Sequence, residues 1–87
     1  MERFDLIPFD PLIMLAGCLG VGAERYGDDS WKDQPIDFHI NKAIRHIALF
    51  KVGNTEELHL IHAICRLFFA SHLAIEKELM PNAYPDA

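Results

Sequence analysis

The residues of this chain best suited to chemistry are a few histidines and carboxylates set into apolar helical runs. His59 and His62 stand three positions apart, with Glu56 three positions before His59. On one helix all three would share a face and offer ligands to a metal ion. Zinc ordinarily takes three or four ligands, and His39, His46 and His72 fall on other elements or faces, so core or interface histidines are the alternative reading. Glu24 and Glu56 are each isolated on an apolar run, and carboxylates from facing helices are a recurrent way to hold Mg²⁺ inside a bundle. Alternatively, Glu24 pairs with Lys42 or Arg45, and Glu56 complements the positive end of a helix. Asp28, Asp29, Asp33 and Asp37 lack the spacing and central glycine of a calcium loop and read as a solvated acidic loop. Neither a glycine-rich phosphate loop nor a GxSxG elbow is present, which removes the usual nucleotide-binding and serine-hydrolase readings.

These groups need helices to position them. Residues 54 to 80 contain no Gly or Pro; Asn54 as N-cap, Glu57 completing a capping box and Pro81 as the stop predict one helix over that span. Its periodicity gathers Glu56, His59, His62 and Arg66 into a polar arc, while Leu58, Ile61, Ile64, Leu67, Phe68, Phe69 and Leu73 cover the rest. Such an arc must face a lined cavity or a subunit contact, because charges inside an apolar assembly are costly unless paired. Asp10 as N-cap and Pro11 as first residue open a helix over 11–26 that stops at Gly27, with Gly17 and Gly20 on one stripe, as if for close packing, leading to Glu24. Pro35 starts another helix, to about Val52, whose expected core face is Ile36, Ile40, Ala43, Ile47 and Phe50, with His39, Lys42 and His46 at its border. Residues 1–9 read as an extended arm packing Phe4, Leu6, Ile7 and Phe9 on the bundle, 28–34 as a polar loop around Trp31, and 81–87 as a tail. No strand pattern of useful length is present. The expected fold is all-α, a bundle of three principal helices.

With 87 residues and 51% hydrophobic content, the chain is expected to form a single domain, 1–87, with room for one core. A domain this small hides only about 60% of its unfolded surface, so helices apolar on more than one face predict completion of the bundle by oligomerisation. The net charge of −5, with the eight Lys and Arg scattered, argues against nucleic acid as a partner. Cys18 and Cys65 sit inside apolar runs and read as small buried hydrophobes in a reducing compartment. No membrane span or signal peptide is recognisable, and a cytoplasmic location is expected.

Several short stretches are shared with a known family. RFDLIP at 3–8, GAERYG at 22–27 followed by Trp31, the Arg45–His46 pair and HLIHAIC at 59–65 resemble the bacteriophage dATP/dGTP diphosphohydrolases, MazZ-like proteins related to the all-α MazG pyrophosphohydrolases. The likeness covers about residues 3–70. It implies cleavage of a deoxypurine nucleoside triphosphate to monophosphate and pyrophosphate by water activated by Mg²⁺ (or Mn²⁺), in a bundle of paired subunits. On that basis Glu24, Glu56 and His59 would hold the metal, His62 would complete the site or position water, and Glu24, Glu56, His59 and His62 form the catalytic set. Lys42, Arg45 and Arg66 would grip phosphates, and Tyr26 and Trp31 would offer a flat face to the base. The E-x-x-E and E-x-x-D segments of MazG-type enzymes are reduced here to Glu24 with Gly27 and Glu56 with His59, and Arg66 stands where Asn is expected. The alternative is a non-catalytic phage-type module on the same scaffold that binds a nucleotide or a host protein.

Overall fold

The structure is a computed structural model and describes residues 1–81. Three helices, α1 (Phe9–Tyr26), α2 (Ile36–Lys51) and α3 (His59–Glu76), are joined by short connections, with 3-10 turns at Phe4–Leu6 and Ser30–Asp33. The architecture is all-α, as expected, with no strand among the described residues. No helix among them is long and apolar enough to cross a membrane.

Local chemistry explains where the helices stop. Gly27 ends α1 at φ 95°, ψ 156°, and its N–H donates to the Ala23 carbonyl at 2.9 Å; that backbone region is essentially closed to residues with a Cβ. α2 begins after Pro35, whose missing N–H costs nothing at a helix start. It ends in a Schellman motif, in which Gly53 at φ 84° lets its own N–H reach Phe50 O and the Asn54 N–H reach Leu49 O, both at 3.0 Å. α3 ends the same way one residue past Lys77. Glu78 adopts φ 58°, and the Leu79 N–H donates to Ala74 O at 2.8 Å.

Several boundaries differ from expectation. α3 starts five residues after Asn54, because the Asn54 N–H already closes α2 and its Oδ1 accepts the Glu56 N–H at 3.1 Å in an Asx turn. Leu58 occupies the N-cap without a side-chain bond. Glu56 therefore lies in the connection and not on the polar arc of the helix. α1 opens at Phe9 after Pro8, so Asp10 falls in its first turn, where a carboxylate still favours the positive helix end. The N-terminal arm is not packed down. It curls into the first 3-10 turn, tied by Arg3 to Asp5 at 2.7 and 2.8 Å, and leaves Phe4 and Leu6 each 69% exposed. Beyond Pro81 the expected tail lies outside the described residues.

α3 is central, with α2 packed closely along it and α1 more lightly. The α2 face turned inward is His39, Ala43 and His46, not the expected isoleucine face; Ile40, Ile47 and Phe50 are exposed and only Ala43 is common to both. Opposite it, Ala63, Ala70 and Ala74 of α3 are buried with Ile61 and Leu73. Small side chains on both helices allow the backbones to approach, and the imidazoles fill the seam while bonding across it. Leu58, Ile64, Leu67 and Phe68 of the expected core face of α3 are exposed, and a Cβ added at Gly17 or Gly20 would meet nothing within 4 Å. The glycine stripe thus makes no close contact within the chain.

Two predictions follow from this packing. Ile13, Val21, Ile40, Ile44, Ile47 and Phe50 are all exposed, and contiguous apolar faces of this kind mark surfaces that a partner covers. Light scattering at micromolar concentration should give a multiple of 9.9 kDa, and a folded monomer would contradict it. Gly20→Ala should raise stability by about 1 kcal/mol through helix propensity, whereas Gly27→Ala should lower it by about 1–3 kcal/mol through backbone strain. Urea denaturation of the two variants reads both signs.

Candidate functional site

α1 and α2 diverge above α3 and leave a groove of about 770 Å³ between them, within the roughly 300–1,000 Å³ of small-molecule sites. Gly17, Gly22 and Tyr26 of α1 line one wall, Lys42, Arg45 and His46 of α2 the other, and His62, Cys65 and Arg66 of α3 the floor. Arg25 and Trp31 also reach it. The four cations Arg25, Lys42, Arg45 and Arg66 form no ion pair with a carboxylate among the described residues. Positive charge left unneutralised in a concave site attracts anions.

Arg66 is held in place by a relay from the loop before α2. The fully buried His39 donates its Nε2–H to the Trp31 carbonyl at 2.9 Å, which leaves Nδ1 to accept an Arg66 N–H at 3.2 Å. Arg66 Cζ then lies 5.6 Å and Lys42 Nζ 5.3 Å from the centre of the Phe38 ring, so α2 and α3 deliver two cations to one aromatic patch.

Beside the groove runs a second chain of polar groups. Asn54 Oδ1 accepts from His59 Nε2–H at 2.7 Å; the bare Nδ1 of His59 then accepts from His46 Nδ1–H at 3.0 Å. His46 packs edge-on against His62 with ring centres 5.0 Å apart, and His62 Nδ1 is 3.4 Å from a Glu57 oxygen. Burial, reinforced by His62, holds the pKa of His46 below the ordinary imidazole value, so the ring favours its neutral form. Nitrogen or oxygen atoms of His46, Glu57 and His59 all lie within 4.8 Å of one another. At the floor, burial raises the pKa of Cys65, which favours its thiol form, and neither Cys65 nor Cys18 is in a disulfide.

The structure brings together only part of the expected set. His59 and His62 join the polar chain, and Lys42, Arg45, Arg66, Tyr26 and Trp31 all line the groove. Glu24 and Glu56 are exposed, line no part of it and form no ligand group with His59; no ion pair joins Glu24 to Lys42 or Arg45. Trp31 is engaged in packing, its ring stacked on Phe69 at 4.5 Å with an interplanar angle of 6°, which leaves Tyr26 as the freer aromatic. Sequence reasoning missed His46 and Glu57 as partners of His59, and Arg25 in the groove. The Arg45–His46 pair and GAERYG were the available signals, but a border position and a capping-box role hid their use.

An all-α chain with a basic groove floored by one central helix is suited to holding a small polyanion. Residues 1–82 match the family described as dATP/dGTP diphosphohydrolase, N-terminal, and the chain belongs to that family. No curated protein and no solved structure matches it.

Asn54 ends α2, turns the connection and orients His59, so its side chain is more than a loop residue. Asn54→Ala should destabilise the fold by about 1–3 kcal/mol by orphaning a buried N–H, while Asn54→Asp, which keeps the acceptor oxygen, should stay close to wild type in urea denaturation.

Proposed function

We propose that the groove binds a deoxypurine nucleoside triphosphate and that the chain hydrolyses it to the monophosphate and pyrophosphate. The observation that carries this reading is the set of cations in the groove without carboxylate partners, in a chain whose net charge is −5. Scattered lysines would be paired or solvated; four cations around one cavity suit a triphosphate, whose charge they offset through charge-assisted hydrogen bonds. Membership of the family supports the same substrate class.

In this reading Arg66, fixed by His39, and Lys42 grip the phosphate chain, Arg45 and Arg25 hold its outer end, and exposed Tyr26 lies alongside the base. His62, at the floor beside Glu57, accepts a proton from water as it attacks the α-phosphorus, with the adjacent carboxylate stabilising the imidazolium that forms. Pyrophosphate leaves with its charge balanced by the same cations. Mg²⁺ takes oxygen ligands in a near-ideal octahedron, and the convergent donors here are two imidazole nitrogens and one carboxylate. The residues do not fit it as a resident ion, so Mg²⁺ in the reaction would arrive on the triphosphate. Self-association, in the cytoplasm where such triphosphates are found, belongs to the same proposal.

The sparse carboxylate lining, with Asp28 and Glu57 at the groove and Glu24 and Glu56 away from it, favours one second reading, a module that binds the nucleotide without cleaving it. Pyrophosphate release from each of the four deoxynucleoside triphosphates, followed beside Trp31 fluorescence, separates the two. Hydrolysis of dATP and dGTP with KM raised about tenfold or more in Arg66→Ala and Lys42→Ala is expected. Saturable fluorescence change without pyrophosphate would select the binding module, and neither signal would overturn both.

A further inference from the structure

We infer that His46, Glu57 and His59 form a binding site for one divalent transition ion of the Zn²⁺ or Co²⁺ class, at the edge of the groove. The two Nδ1 atoms are 3.0 Å apart, and one nitrogen of each ring and a Glu57 oxygen lie within 4.8 Å of one another. A tetrahedral ion with bonds of about 2.0–2.1 Å spaces its ligand atoms by roughly 3.3 Å, so the two nitrogens already stand at close to ligand spacing and each ring has to turn its lone pair from the partner nitrogen toward the ion. Glu57 closes in from the connection before α3, where its side chain is exposed.

Three further features point the same way. Both histidines are buried, 8% and 3% exposed, so their side-chain entropy is already spent in the folded chain. Asn54 Oδ1 holds His59 Nε2–H at 2.7 Å, the outer hydrogen bond that ordinarily orients a metal-binding imidazole and sets its tautomer. The proton shared between the rings moves to His46 Nε2 when the ion enters, so both rings stay neutral and both Nδ1 atoms become ligands. Glu57 has two oxygens, and one can face the ion while the other keeps its contact with His62.

The donor set decides the ion class. Two imidazoles and one carboxylate suit borderline transition ions, whereas Mg²⁺ prefers an all-oxygen shell. Three protein ligands leave a fourth position free, as in catalytic rather than structural zinc sites. Binding of the ion stands on geometry alone. Its role, holding a phosphate oxygen or a water in the groove, rests on the hydrolase reading given above.

The test is a titration of the full chain with Co²⁺ without nucleotide, followed by visible absorption. The expected result is the strong absorption of a four-coordinate cobalt ion, saturating at one per chain, abolished by Zn²⁺ and unmoved by a large excess of Mg²⁺. Removing a buried imidazole can unfold the chain, so Glu57→Ala is the deciding variant. With helical circular dichroism intact it should weaken Co²⁺ binding roughly tenfold or more, while His72→Ala, at a surface pair with Glu76, should leave the titration unchanged. Absence of saturable absorption, displacement by Mg²⁺, thiolate charge-transfer bands from Cys18 or Cys65, or an unaltered titration in Glu57→Ala would each overturn the site. A chain that binds Co²⁺ but releases no pyrophosphate would keep the ion site and lose the hydrolase reading; pyrophosphate release without the cobalt signal would do the reverse.

Discussion

Two buried imidazoles hold α2 against α3, and the remaining structure is arranged to satisfy them. His39 and His46 lie on either side of Ala43 on the inward face of α2. An unpartnered buried polar group costs about 1–3 kcal/mol, so each ring needs specific partners across the seam. His39 finds Trp31 and Arg66, and His46 finds His59, which is itself bound to Asn54. No buried side-chain nitrogen or oxygen among the described residues is left without a partner. Rotating or sliding α2 would break both relays at once, which pins its register more tightly than interchangeable aliphatic contacts would.

That constraint also shapes the groove. With the histidines turned inward, Lys42 and Arg45 fall at the edge of α2 that overlooks α3, and Ile40, Ile44 and Ile47 are left outside. α1 touches mainly α3, so a space stays open between α1 and α2. The glycines of α1 keep that wall low, because no side chain at Gly17 or Gly22 fills the cavity. The 3-10 turn carrying Trp31 connects packing to charge placement. Its ring is stacked on Phe69 and its carbonyl holds His39, which in turn holds Arg66.

Local charge matters more here than net charge. A chain of net charge −5 repels an extended polyanion, yet four of its eight Lys and Arg line one groove alongside only two carboxylates, Asp28 and Glu57. The exposed apolar faces of α1 and α2 are a separate matter. They lie on residues that the core of one copy does not use.

Punctuation was legible in the sequence by itself: Gly27, Pro35 and Gly53 bound helices where expected, because their backbone preferences act over one or two residues. The all-α class was legible for a related reason, since helical periodicity is carried residue by residue, and the family resemblance singled out Lys42, Arg45 and Arg66 of the groove but not Arg25. The inward face of α2 was not. Hydrophobicity pointed to the isoleucines, and only the partners waiting on α3, residues 13 and 27 positions away from their histidines, make burying imidazoles the better solution. For the same reason the start of α3 and the grouping of His46 and Glu57 with His59 belonged to the tertiary structure. Asn54 reads as an N-cap until its N–H is seen closing the preceding helix, and a ligand-sized cluster drawn from two helices and their connection exists only once those elements meet.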